Sequence, residues 1–453
     1  MSNNTLFKSK EALLSKGEIK LRADLLEIAE SGIRKVIPYE STKALVRRTQ
    51  DGVAVGDALY PWNDIRNIYI IGAGKGSFPI AQALDEILGD RISEGIVVVK
   101  EGEKRRLPHV EIFESSHPIP DERSITGADK IMRILEKAGQ KDLVFAAITG
   151  GSSALVNKPA PGITIEELKE LNRLLLRSGA EIGKVNAVRK HLCMMKGGRV
   201  LQYGQPATVV TLTFDTAPPD MPWPDMCLPD PTTFADAIGV LKSYGLWENT
   251  RQSVRDRLTY GLAHPEEETL KSSDGMKHAM YSVADPQSAC MAAADKAREM
   301  GYTPYILSTT MEGEAKDVGI MQAGIVNEIV KYGRPFTPPC AIISGGETTV
   351  TILGEPGEGG PNQETVLGFA SKLLPKQGVA FLSIDTDGTD GPGLIAGGMV
   401  DTQTLSRLHQ LGIDLNETFQ AHSSSVVLRE LGDEIVTGHT GTNVMNLRVA
   451  LIG

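Results

Sequence analysis

Apolar positions return along this chain with two different periods. Between residues 8 and 37, Leu13, Leu14, Ile19, Leu21, Leu25, Leu26 and Ile28 recur at near-helical spacing, with Gly17 as a weak point. Short aliphatic runs then take over. "IRNIYIIGAGKGSFPIAQALDEILGD" predicts a strand over about 66–71, a glycine turn, and a helix to about Leu88. "EGIVVVKEG" is a short strand of the kind buried on both faces. "HPIPDERSITGADKIMRILEKAG" reads as a proline-rich loop and a helix, and "DLVFAAITGGSSALV" as a strand running into a second glycine turn. Strand and helix in alternation predict an α/β fold, here a Rossmann-like, doubly wound parallel sheet.

"GITIEELKELNRLLLRSGAEI" predicts a firm helix: Thr164 and Glu167 stand at capping-box spacing, and Leu168, Leu171, Leu174 and Leu175 form an apolar stripe. "PATVVTLTF" is another strand. The period then breaks at 214–234, where Pro218, Pro219, Pro222, Pro224, Pro229 and Pro231 predict a long irregular loop. Residues 235–280 are helical and polar. A second, smaller α/β unit begins near 281 and includes strands in "TPYILST", "CAIISGGETTVTILG", "VAFLSIDTDGTDG" and "NVMNLRVALIG". The expected domains are 1–260 and 280–453.

Length fits this division, since 453 residues exceed one ordinary core. A balance of 47 basic against 57 acidic residues, with no basic stripe, argues against nucleic acid as a partner. An anionic small molecule would need a locally positive site. Cys193, Cys227, Cys290 and Cys340 lie far apart, so reduced, mostly buried thiols in a cytoplasmic protein are expected. The first residues do not read as a secretory signal, and no window reaches the length of a membrane span.

Several stretches carry candidate chemistry. In "GAGKGS", Gly72 and Gly74 match the start of the dinucleotide fingerprint, but Ser77 takes the place of its last glycine, and the next strand ends on Lys100 where an acid is expected. The ATP P-loop spacing also fails. What remains is a strand–turn–helix that brings Lys75 to a helix N-terminus, a place that favours anions; a plain tight turn with a solvated lysine is the other reading. In "TGGSSAL", Gly150, Gly151, Ser152 and Ser153 form a nest suited to carboxylate or phosphate. Arg189, Lys190, His191, Lys196 and Arg199 cluster within eleven residues, either as local positive potential or as a solvated face. Asp385, Asp387 and Asp390 are spaced for magnesium or for simple turns. Gly345, Gly346 and Glu347 make another glycine turn, and Asn362, Gln363 and Glu364 open a helix that they cap or from which they contact a ligand.

Taken in order, "GAGKGS", "SSHPIPDERS", "ITGGSSALV", "LLLRSGAEIGKVNAVRKHLCMMKGGRV", "SGGETTVT", "GGPNQE", "DTDGTDGP" and "TGHTGTNVMNL" resemble the glycerate 2-kinase family, whose C-terminal part is the MOFRL domain. The resemblance implies a two-domain α/β protein with its site in the interdomain cleft, and transfer of the γ-phosphate of ATP to a hydroxyl of a small anionic hydroxy acid with a divalent metal, Mg2+. It points to Lys75 as the functional lysine. In the site drawn from it, Lys75 meets the transferring phosphate, Asp387 and Asp390 hold magnesium, Arg189 and the 150–153 nest grip the acceptor carboxylate, and Asp215 takes the hydroxyl proton. Lys196, Gly345, Gly346, Glu347, Asn362, Gln363 and Glu364 complete the binding residues. Two departures stand out. Pro361 replaces a family arginine, and in the proline-rich stretch only Asp215 and Asp220 match the family's acids. A hydroxypyruvate reductase using NAD(P)H, a name also attached to the family, and a catalytically silent ligand-binding homologue are the alternatives. A homodimer is left open.

Overall fold

The computed structural model describes residues 5–102, 105–214, 226–352, 354–376 and 378–453. By internal packing the chain divides into two units. One is Thr42–Val283; the other joins Met1–Ser41 to Ala284–Gly453. The first helical residues thus go with the C-terminal half, not with the rest of 1–260.

Thr42–Val283 is built on a six-stranded sheet in the order Glu111–Ser115, Ile92–Lys100, Asn67–Ala73, Asp142–Ile148, Thr208–Phe214, His278–Ala284. The first five strands pair in parallel. Strand Asn67–Ala73 sorts its side chains by alternation. Tyr69, Ile71 and Ala73 join a core with Ile131, Ile134 and Leu135 of helix Glu122–Lys137. Ile68 and Ile70 join another with Ile80, Ala81, Leu84 and Leu88 of helix Ser77–Leu88. Both faces are therefore covered, which is why these strands read as continuous apolar runs. The sequence pattern missed a three-stranded antiparallel sheet, Val46–Arg48, Gly52–Val55 and Ala58–Pro61, whose Val46, Val53 and Val55 extend the second of these cores. Thr164 and Glu167 do form a reciprocal capping box at the start of helix Ile165–Arg177.

The other unit has a mixed six-stranded sheet in the order Thr303–Ser308, Cys340–Gly346, Asn446–Ile452, Val379–Asp385, Gly397–Asp401, Glu434–Ile435. Only the first pair is parallel. The C-terminal strand lies near its centre, between Cys340–Gly346 and Val379–Asp385. Helix Ile19–Lys35 covers one face. Its Leu25, Ile28 and Ile33 share a core with Ile343, Leu382 and Val449. Buried Arg22 fixes that helix, with its Nε 2.5 Å from Asp401 and its Nη1 2.9 Å from Asp433. This is the physical reason the N-terminal residues belong here: they supply a helix layer and a buried cation that the C-terminal sheet needs. All four cysteines are free and buried, and burial pushes the Cys290 thiol up to about 12. Among the described residues, no helix is long and apolar enough to cross a membrane.

Candidate active site

The parallel sheet decides where its loops can work. From Asn67–Ala73 the chain steps outward to Ile92–Lys100 and Glu111–Ser115, then returns to the other flank of Asn67–Ala73 as Asp142–Ile148. Loops leaving the carboxyl ends of these two neighbours run in opposite directions, and ligands of doubly wound sheets bind in the crevice so formed. Ala73 pairs with Ile148, so the loops that follow are the two glycine turns singled out in the sequence.

They are laced together. Lys75 donates its N–H to the Gly150 carbonyl at 2.9 Å. Gly76 donates to Thr149 Oγ1 at 3.0 Å, and Ser77 Oγ lies 3.1 Å from the same atom. Gly74 has a φ of 139°, and a Cβ there would stand 2.1 Å from Thr149 Oγ1. No other residue could bring the turns this close. A Cβ on Gly151 would meet the His117 ring at 3.2 Å and Lys75 Cγ at 3.3 Å, so the lysine stem and the imidazole flank that glycine. Lys75 itself is exposed. Burial first, then the positive charges of Lys75 and Lys100, hold the His117 pKa below its usual value. In the sequence Lys100 was only a strand end and His117 only a member of the "SSHPIPDERS" motif; both lie on or near strand ends beside the Lys75 turn, a relation that sheet order alone reveals.

The basic cluster at 189–199 separates into two kinds. Lys190 is buried against Asp230 at 3.0 Å. His191 bonds the Ala187 carbonyl and Glu268, and Arg199 donates to the carbonyls of Glu267 and Glu268. Those three hold the fold. Arg189 donates only to the amide oxygens of Asn172 and Asn186, and Lys196 to the Ser153 carbonyl and Cys193 Sγ. Neither has a carboxylate partner among the described residues. Both line a cavity of about 320 Å³ together with Ser153 and helix Ile165–Arg177. The turn 149–153 thus links Lys75 on one side to this cavity on the other. Asp215, with Asp220, lies outside the described residues.

The second unit gathers acids. Asp385 ends strand Val379–Asp385, and its Oδ1 accepts the Asp387 N–H at 3.0 Å. Burial first, then the charge of Asp387, push the Asp385 carboxyl up to about 9. Desolvation also raises solvent-accessible Glu347; Arg448 works against the shift, and Asp390 and Asp387 add to it. Asp390 has a different task from its neighbours. Its two oxygens accept the backbone N–H groups of Asn362 and Gln363, and both side-chain amides, at 3.0–3.1 Å. It closes the N-terminus of helix Pro361–Lys372, which leaves its oxygens fully engaged. Asn362 and Gln363 are themselves buried in this network, with Ser383, Asn446 and Ser425. Glu364 is buried too, 2.9 Å from His422 Nδ1. Gly345 and Gly346 close strand Cys340–Gly346, where a Cβ on Gly346 would fall 2.2 Å from the Met311 nitrogen. Buried Arg448 stands among these acids, with Nη2 donating to Thr348 and with Nε and Nη1 lacking a partner among the described residues. No group of three or more His, Cys, Asp or Glu side chains converges on a metal position among the described residues.

Comparison with known proteins matches residues 24–259 to a domain of unknown function, DUF4147, and 340–446 to the MOFRL family. The glycerate 2-kinase of Pyrococcus horikoshii is 38% identical, over 94% of this chain and 96% of its own. The chain belongs to the glycerate 2-kinase family. The crystal structure of glycerate kinase from Thermotoga maritima matches with a TM-score of 0.86 at 33% identity, covering 96% of this chain and all of that one. A relative from Agrobacterium vitis, 39% identical over 85% of this chain and 87% of its own, is named, provisionally, a hydroxypyruvate reductase. Within this glycerate 2-kinase family member, Pro361 has a clear local logic. It is the first residue of its helix, where a missing N–H costs nothing and a fixed φ suits the helix.

Proposed function

We propose that this protein transfers the γ-phosphoryl group of ATP to a hydroxyl of glycerate or a related short hydroxy acid. The observation that carries the reading is the pair of glycine turns locked together at the switch point, with Lys75 beside them. Phosphoryl transfer asks for positioning and charge neutralisation more than for covalent chemistry by the protein. Lys75 takes the negative charge of the group in flight. Arg189, Lys196 and the 150–153 turn seat the acceptor carboxylate. The acceptor oxygen attacks the γ-phosphorus, the bond to the β,γ-bridging oxygen breaks, ADP leaves, and Asp215 takes the hydroxyl proton.

The acids of the second unit are the candidate ligands of the cation in this reading. Magnesium uses one or two carboxylates and completes its shell with water and phosphate oxygens, so the absence of a three-ligand group is compatible with it. Asp385 and Asp387 would hold it, and it would offset the charge of the phosphates. Asp390, already saturated with N–H donors, positions the loop between them and the helix.

Formation of ADP from ATP and glycerate, measured beside NADH and NADPH oxidation with hydroxypyruvate, tests the reading. Turnover in the first assay alone is the expected result. Cofactor oxidation alone would establish the reductase. Ligand-induced melting shifts with neither turnover would establish a silent binding protein. The strand that follows the Lys75 helix ends on Lys100, not on an acid for a ribose hydroxyl, which weighs against NAD.

A further inference from the structure

The cavity beside the 149–153 turn says more about the acceptor than the family does. Its floor is charged, and the larger part of the remaining lining is apolar, with Asn157, Lys169, Asn172 and Arg173 set among the apolar side chains. Lys196, 2% exposed, and part-buried Arg189 both face it, and burial first, then the charge of Arg189 among others, holds the Lys196 pKa below its usual value. Holding two such cations together with no carboxylate partner among the described residues is unfavourable, so the pair is built for an anion that arrives from outside. Above this floor stand Leu168, Leu171, Leu175 and Leu176, one face of helix Ile165–Arg177. At the rim, Leu176 and Ile119 are 61% and 62% exposed. The four leucines offer no hydrogen bond to a hydroxyl, and of the polar groups on the same helix Lys169 is paired with Glu166 and the Asn172 amide oxygen accepts from Arg189. The volume of about 320 Å³ is also more than a three-carbon acid fills.

We infer that this cavity takes the carboxylate of a hydroxy acid on Arg189 and Lys196 and lays an alkyl group of the same molecule against the leucines. The preferred acceptor is therefore a 2,3-dihydroxy acid of four to six carbons whose chain beyond the hydroxyls is apolar, not a longer polyhydroxy acid. As an acceptor site the inference rests on the kinase reading; as a binding site it does not. The turn that carries Ser153 joins the cavity to the Lys75 loop, so a hydroxyl next to the carboxylate would lie on the side of the transferring phosphate.

The test is a series run on the full chain: glycerate, 2,3-dihydroxybutanoate, 2,3-dihydroxy-3-methylbutanoate and 2,3,4-trihydroxybutanoate. Each is measured for ADP formation and, separately, for binding by calorimetry. Each added buried carbon should raise kcat/KM and affinity about fourfold, the value of one buried methylene. The trihydroxy acid should gain nothing. Leu176→Gln, at the open rim where folding is not at risk, should erase most of that gain. Lys196→Met should weaken binding of every acid at least about tenfold, as expected for a lost charged hydrogen bond. Graded binding without any ADP would support the cavity and sink the kinase reading. Turnover of glycerate with no gain from alkyl groups, or a larger gain from the extra hydroxyl, would overturn the inference and leave the kinase standing.

Discussion

The two units carry opposite electrostatic imbalances. In Thr42–Val283, Lys75, Arg189 and Lys196 surround two glycine turns without a carboxylate partner among the described residues. In the unit holding Ala284–Gly453, Glu347, Asp385 and Asp387 collect at strand ends, and buried Arg448 is the cation among them. Elsewhere the molecule pairs its buried charges with care, as Arg22 with Asp401 and Asp433, and Lys190 with Asp230, show. Two imbalances of opposite sign accord with the proposed reading, in which anions complete the first place and a cation the second.

The comparison can be broken at four points. Asp390 is the acid that should behave as structure. Asp390→Ala strips the acceptor from two backbone N–H groups and two buried amides, and should lower stability by about 3 kcal/mol in urea unfolding. A negligible loss would return Asp390 to the ligand-binding acids. Lys75 is the cation that should behave as chemistry. Because its side chain is exposed and its backbone N–H makes the structural bond, Lys75→Ala should keep the melting temperature and cost at least about 100-fold in kcat. A near-normal rate would remove it from the reaction.

The next two sharpen the comparison. Millimolar magnesium with ADP should raise the melting temperature of the protein, and Asp385→Asn should weaken that response about tenfold in apparent affinity. An unchanged response would place the cation elsewhere. The smallest effect is local. If Lys75 and Lys100 both act on His117, Lys75→Met should raise the His117 pKa, read by NMR titration. The sign for stability follows from the same shift. The folded state holds His117 below 6.5, so its contribution is complete above that value and is lost as the pH falls through the folded pKa. Lys75→Met should reduce that acid sensitivity.

Much of the first sheet could be read in the chain. The runs "IYIIGA" and "LVFAAI" are apolar throughout because both faces of their strands are covered. Thr164 and Glu167 announced a helix start that local hydrogen bonds confirm. The hairpin sheet at 46–61 was missed because its strands are only three or four residues long, too short for a period to show. Gly397–Asp401 was missed because its five residues open on two glycines and are buried throughout, so neither propensity nor alternation marks it. In the site, the two glycine turns were visible as motifs, but their partnership was not, since 73 and 149 meet only through sheet order. The cluster at 189–199 looked uniform in sequence; Asp230, Glu267 and Glu268, far along the chain, claim Lys190, His191 and Arg199 and leave Arg189 and Lys196 to the cavity.

The amino-acid sequence by itself determined what depends on near neighbours: which segments alternate, where glycine permits a tight turn, where a helix begins, and which motifs tie the chain to its family. Only the tertiary structure decided which charges are spent on the fold and which stay unmatched. That follows from physics, because a charge is neutralised by whatever lies within a few ångströms in space, and for Asp390, Arg22 and Lys196 those neighbours come from distant parts of the chain or from none at all.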